Sequence, residues 1–223
     1  IGDLLGGTMG AVMGILVALF DARRSGRGRE VDVSMTDAAF AHMIFPLAEV
    51  LAHGGVRPRG EDLLTGGVPC YGVYETADGR YMAVGALEEK FWGLLCTTLG
   101  RADLIPGHLA TGADGARVRG ELATIFRGRS QREWVEVFDP VDCCVTPVLR
   151  LEESVRDPQL RARGMVVETN GLCHAGAAVR LGGMPPMPDA PAPACAGADT
   201  DAILEALGVD AEELARLRGA GVV

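Results

Sequence analysis

Between Leu4 and Phe20 the sequence runs without a single charge, and glycine recurs there at positions 6, 10 and 14. A run this apolar must be covered, by lipid or by the rest of a protein, and its length sits at the short limit of the ~20 residues that span a bilayer. Glycine every fourth residue keeps one helix face free of side chains, so that another segment can approach closely; membrane helices and buried soluble helices both use this device. The rest of the chain carries ordinary globular signals, so the expectation is a buried helix over about residues 4–24 in a soluble protein, with no membrane partner. Arg23 and Arg24 complement the dipole of its last turn, and Gly26 suits a left-handed exit. No signal peptide is expected, because no basic segment precedes the run and Asp3 stands where one would be needed.

The 223 residues suffice for one or two domains, and a net charge of -9 argues against a nucleic-acid partner, whose phosphates would meet repulsion. Of the 21 basic residues only Lys90 is a lysine, a bias ascribed to nucleotide composition rather than chemistry. Six cysteines form no CxxC pair, and Cys143 and Cys144 lie in an apolar CCVTPVL run that suits burial. A reducing, cytoplasmic setting follows. The sequence opens at Ile1, inside the apolar run and without a methionine, which suggests a fragment or a processed product.

Local signals divide the chain further. Arg29 to Met35 alternates, with Val31 and Val33 on one side and Asp32 and Ser34 on the other, as in a short strand; Thr36 and Asp37 then suit the start of a helix reaching Ala52. GGVRPRGEDLLTGG marks a boundary, giving segments 1–66, 67–165 and 166–223. GVYET-ADGR-YMAVGA reads as a β-hairpin turning at Asp78-Gly79. A helix from Glu88 to Leu99 stops at Gly100, and Ser130-Gln-Arg-Glu133 is a capping box opening another. Cys144 to Leu149 and Met165 to Glu168 read as strands. Prolines from Pro185 to Pro193 suggest an extended connector, and two short helices capped by Asp199 or Thr200 and by Asp210 close the chain.

Few residues announce chemistry. The sequence lacks phosphate-loop, nucleophile-elbow and HExxH motifs, and Gly2 to Gly10 resembles a dinucleotide loop only loosely. His42, His53, His108 and His174 have no ligand spacing, so no metal is expected and each reads as structural or exposed. Asp3 precedes an apolar helix among glycines at 2, 6 and 7: it is either a helix cap or a carboxylate that a substrate can reach. Glu88, at the end of AVGAL, is either a first-turn acid or a catalytic carboxylate on a loop. Arg23, Arg24, Arg27 and Arg29 form a basic patch, either a solvated helix end or a grip for the phosphates of an anionic ligand.

GDLLGGTMGAVMGILVALFDARRSGRGREVDVSM resembles the heart of the family III CoA-transferases, the CaiB/BaiF group that includes α-methylacyl-CoA racemase. VYETADGRYMAVGALEEKFW, DCCVTPVL, DPQLRARGMVVE and GADTDAILEALGVDAEELARLRGAGVV follow in the family's order and extend the resemblance over nearly the whole chain. The fold it implies is mixed α/β: part of a Rossmann-like large domain (1–66), a smaller α+β domain with a β-hairpin (67–165), and a connector with C-terminal helices (166–223), in an interlocked homodimer. The part present matches the second half or more of a member, and the N-terminal portion that supplies much of the CoA site is expected to be missing.

By that resemblance Asp3 stands at the family's catalytic aspartate. It attacks the thioester and carries the acyl group as a mixed anhydride in the transferases, and is one of two opposed bases at the α-carbon in the racemases. Glu88 matches the glutamate of the racemases' GA[IL]E segment, which orients a partner histidine; none of the four histidines here falls at that histidine's position. Arg23, Arg24 and Arg27 are the CoA-binding candidates. The implied activity is 2-methylacyl-CoA epimerisation in lipid metabolism, with CoA transfer between carboxylic acids as the alternative and a non-catalytic fragment or partner subunit as a second. Coenzyme A enters as part of the substrate, and no permanent cofactor is expected. Packing against the apolar helix is expected to desolvate Asp3 and strengthen it as a base, while the 223-residue piece alone is expected to be inactive and poorly soluble.

Overall fold

The computed structural model describes residues 1–169, 171–182 and 195–223. The expected proline connector, Pro185 to Pro193, lies outside the described residues. The chain divides into two units, Ile1–Pro147 and Val148–Val223.

The first unit opens with a π-helical stretch, Gly2–Met9, that continues into α1 (Gly10–Ser25). Gly26 leaves it with φ 72°, so the left-handed exit is as expected. The glycine face is covered by the chain's own next segment. A Cβ at Gly14 would lie 2.7 Å from Val31 Cγ1, one at Gly10 3.3 Å from Val33 Cγ1, and one at Gly6 3.2 Å from the Ala38 Cβ. Burial of the helix as a whole is not observed: Gly6 is its one buried residue, and Met13, Leu16, Val17 and Phe20 stand exposed. By length and composition Gly2–Ser25 is apolar enough to cross a membrane, a test that core helices of larger proteins also meet.

Arg29–Met35 is not a strand. It runs without regular secondary structure to Ser34, since alternation alone makes no strand without a neighbour to share its backbone hydrogen bonds. The helix after it starts earlier than expected. Ser34, not Thr36 or Asp37, caps α2 (Met35–Ala41) by accepting from the Asp37 amide, and a 60° bend separates α2 from α3 (Ile44–His53).

From residue 67 onward the unit has a dense core. The hairpin forms as read, β1 (Tyr71–Glu75) antiparallel to β2 (Tyr81–Gly85), with Gly79 at φ 69° in the turn. β3 (Val145–Pro147) adds to the other edge of β2, giving the order β1-β2-β3. One sheet face, with Tyr74, Met82, Val84 and Val145, is buried against three helices. In α4 (Glu89–Thr98) the inward residues are Trp92, Leu95 and Cys96. In α5 (Gly112–Phe126), a helix not singled out in the sequence, they are Val118, Leu122 and Phe126; in α6 (Gln131–Phe138) they are Trp134 and Phe138. Each set recurs at three- or four-residue intervals, so each helix turns one stripe inward.

Phe126 is the hub, with ring centroids 5.1 Å from both Tyr74 and Trp134 and 6.1 Å from Phe138. Its burial contributes about 1.5–3 kcal/mol. Its carbonyl also accepts the Trp134 indole N–H at 2.7 Å. The Ser130–Glu133 capping box is present, and buried Gln131 donates to the Tyr81 carbonyl at 2.7 Å, tying α6 to the hairpin.

The second unit holds short helices α7 (Leu151–Ser154) and α8 (Pro158–Ala162), then the hairpin β4 (Val166–Thr169) and β5 (Leu172–Ala175). α9 (Thr200–Ala206) and α10 (Ala211–Gly219) follow, with Gly208 at φ 91° between them and Asp210 capping α10 through the Glu213 amide. Asp199 occupies the N-cap of α9 without a side-chain bond.

Candidate active site

Asp3 lies in the first turn of the π-helical stretch, a geometry that is rare and concentrates at functional sites. It is not a cap. Ile1 holds the N-cap position, no side chain caps the helix, and among the described residues nothing donates to the Asp3 carboxylate. Nor is it desolvated, because the apolar helix behind it is itself uncovered and Asp3 is exposed. Its neighbours Gly6 and Gly7 pack on Ala38 and Met35, while the position of a Cβ at Gly2 meets open space.

Glu88 likewise is not spent on capping. It sits at the N-cap of α4 in extended backbone, and the amides of Phe91 and Trp92 bond its carbonyl at 3.0 and 3.1 Å while its exposed carboxylate caps nothing. This differs from Ser34, Ser130, Asp157 and Asp210, whose side chains all accept from their helices. The backbone carrying Glu88 is pinned at each step. Gly85 donates to the Cys144 carbonyl at 2.9 Å, and Leu87 folds back to the Gly85 carbonyl at 2.9 Å. His108 Nε2 meets the Ala86 carbonyl at 3.1 Å, and its ring stacks 5.9 Å from Trp92. His108 is thus structural, as expected, but its position against the Glu88 loop carried no sequence signal.

Cys144 is a second residue that sequence reasoning misplaced. Cys143 is buried as expected, but Cys144 is exposed, with φ 57°, the one non-glycine residue with positive φ among those described. Desolvation, followed by the charges of Asp142 and Glu88, pushes its thiol pKa up.

Of the arginines, Arg29 is engaged by Asp21 at 2.5 Å, and Arg24 lies 5.9 Å from the Phe20 ring centroid. Arg23, Arg24 and Arg27 are exposed. No hydrogen bond or ion pair among the described residues joins Asp3 to Glu88, or either carboxylate to these arginines. No group of histidine, cysteine and acidic residues among those described has metal-binding geometry.

The chain matches the model of CoA-transferase family III over residues 1–200. It is 34% identical over 224 aligned residues to the alpha-methylacyl-CoA racemase of Mus musculus, covering 99% of this chain and 58% of that protein. It is 26% identical to the formyl-CoA:oxalate CoA-transferase of Escherichia coli O157:H7 (strain EC4115 / EHEC), covering 94% of this chain and 57% of that protein. A CAIB/BAIF family protein from Brucella suis superposes with a TM-score of 0.70 at 21% identity, over 92% of this chain and 55% of that one. The chain therefore spans somewhat over half the length of the curated relatives it matches.

Proposed function

This chain belongs to CoA-transferase family III, and on that premise we propose that the protein acts on acyl-CoA thioesters, epimerising 2-methylacyl-CoA by moving the α-proton. The observation that carries this reading is the Glu88 carboxylate. It closes the segment Gly85-Ala86-Leu87-Glu88 on a pinned strand end, and capping does not consume it. In the racemases that this segment resembles, the glutamate orients a base.

The α-proton of a thioester is weakly acidic, and its removal places negative charge on the thioester oxygen as an enolate. Epimerisation then needs a base within hydrogen-bond reach of the α-carbon on each face, and donors aimed at that oxygen. Asp3 takes the proton on one face; the conjugate acid of a second base, steadied by Glu88, returns one on the other. Exposed and without a competing donor, the Asp3 carboxylate is accessible for this role. Arg23, Arg24 and Arg27 hold CoA phosphates in this reading, and coenzyme A comes and goes with the substrate. A cytoplasmic homodimer completes the proposal, supported by the exposed apolar faces of α1 and α3, which need covering.

CoA transfer is the second reading, favoured by the same free carboxylate and by the similarity to a formyl-CoA:oxalate CoA-transferase. There Asp3 attacks the thioester carbonyl, expels CoA as thiolate and holds the acyl group as an anhydride. One experiment separates the two. In the full-length enzyme, exchange of the α-proton of a 2-methylacyl-CoA in heavy water should stop in Asp3→Ala, without any hydroxylamine-trappable adduct in the wild type. Exchange at the wild-type rate in Asp3→Ala removes Asp3 from the mechanism, and a trapped acyl adduct on Asp3 together with turnover that requires a second acid establishes transfer.

A further inference from the structure

The last sheet bond before Glu88 is made by a residue in an unusual conformation. Met82, Ala83 and Val84 pair in turn with Pro147, Thr146 and Val145, and the ladder gains one further rung where Gly85 donates to the Cys144 carbonyl at 2.9 Å. Cys144 makes that rung from the left-handed region, with φ 57°. Glycine takes such a backbone freely and asparagine tolerates it, but a side chain branched at Cβ crowds the following carbonyl there.

The neighbours of Cys144 impose this conformation. Cys143 is fully buried, and its N–H donates to the Val141 carbonyl at 2.9 Å. Val145 is committed to Val84 in the sheet. A single residue therefore joins a side chain fixed in the core to a strand fixed by its register, and the left-handed turn makes the connection. It sends the thiol outward, exposed and outside any disulfide, while the carbonyl meets β2.

Gly85 passes the constraint on. Its N–H is spent on Cys144, and its carbonyl accepts from Leu87 at 2.9 Å, which closes a three-residue turn over Ala86. Ala86 is buried with its carbonyl 3.1 Å from His108 Nε2, and Glu88 follows Leu87 directly. Losing the Cys144 rung would free the strand end on which this turn is built. A side chain held in the left-handed region persists only where its surroundings over-determine it, and such positions concentrate at functional sites. We propose that Cys144 is a positioning residue for Glu88 that acts through its backbone and not its thiol: the left-handed turn aims its carbonyl at Gly85 and so fixes where the Glu88 carboxylate projects. This rests on the role given to Glu88 in the acyl-CoA reading above.

The test compares Cys144→Val, Cys144→Asn, Cys144→Gly and Cys144→Ser in the full-length enzyme turning over a 2-methylacyl-CoA, with Glu88→Ala alongside. Valine resists the left-handed region, asparagine and glycine enter it, and serine removes the thiol at nearly the same size. In Cys144→Val, amide hydrogen exchange at Gly85 and Leu87 should be at least about tenfold faster, and kcat at least about tenfold lower with KM little changed. Cys144→Asn, Cys144→Gly and Cys144→Ser should recover most of both. Should Cys144→Val fold poorly, Cys144→Ala set against Cys144→Asn makes the same comparison with a smaller misfit. A kcat loss in Cys144→Ser or Cys144→Gly as large as in Cys144→Val overturns the backbone role. Unchanged kcat in a folded Cys144→Val, where Glu88→Ala is inactive, overturns it too and leaves the reading of Glu88 in place. Full turnover in Glu88→Ala overturns both.

Discussion

Val31 fills the space that a side chain at Gly14 would need, its Cγ1 lying 2.7 Å from where that Cβ would be. The glycine spacing of the first helix is therefore a docking track for the segment that follows it in the same chain. The two run past each other, Gly14 meeting Val31, Gly10 meeting Val33 and Gly6 meeting Ala38.

Gly14→Ala is expected to destabilise the protein even though alanine favours a helix interior by about 1 kcal/mol over glycine. Valine is stiff at χ1 and cannot swing its methyl aside, and such overpacking costs about 1–3 kcal/mol. Urea unfolding should show a lower midpoint for Gly14→Ala and recovery in the Gly14→Ala/Val31→Ala double variant. A double variant that unfolds no later than the single one refutes the contact.

Acid should loosen the link between hairpin and α6. The Thr76 hydroxyl, 2.5 Å away, and then the Gln131 amide hold the Asp78 carboxyl below its usual range. A lowered folded pKa gives stability that is present above the unfolded value, near ~4, and lost as pH falls through the folded value. Asp78→Asn should thus lower the urea midpoint at pH 7 and flatten its decline between neutral and strongly acidic pH. An unchanged slope assigns the acid sensitivity elsewhere, with Asp103, Glu121, Glu133 and Glu213, all likewise lowered, as the remaining sources.

His108 is expected to act on turnover through the Glu88 loop rather than on substrate. Removing its bond to the Ala86 carbonyl in His108→Ala should speed amide hydrogen exchange at Leu87 and Glu88. In the full-length enzyme it should also lower kcat by about ten- to a hundredfold with little change in KM if Glu88 orients a base as proposed, since small misplacements of reacting groups carry costs of that order. His108→Gln, which keeps a donor within reach, should restore much of both. Faster exchange without loss of kcat would separate the loop from the chemistry.

Thiol labelling should divide the cysteines. Cys144, Cys173 and Cys195 are exposed, whereas Cys70, Cys96 and Cys143 are buried, with burial pushing their thiols up to about 11, 12 and 11. Alkylation of native protein at pH 8 should mark the exposed group alone, and denaturant should release the others. Cys144 should react more slowly than an unhindered thiol, since its own pKa is raised. Early labelling of Cys143 would place the start of β3 differently.

Features decided within a few residues were legible in the sequence. The Asp78-Gly79 turn, the Ser130–Glu133 box and the exits at Gly26 and Gly100 all depend on near neighbours, and all form as read. The family was legible because its segments keep their order along the chain. What failed were statements about neighbours far along the chain. Alternation at 29–35 implied a strand, but a strand exists only where another lends it hydrogen bonds; apolarity at 4–24 implied burial, but burial needs a covering surface. Cys143 and Cys144 look alike in sequence, and the backbone leading into β3, with φ 57° at Cys144, sends one into the core and the other outward. Tertiary structure alone set Ala83 between Val73 and Thr146 and brought His108 to the Glu88 loop. Sheet register and long-range docking are fixed by pairs of surfaces, and no single segment carries both halves of such a pair.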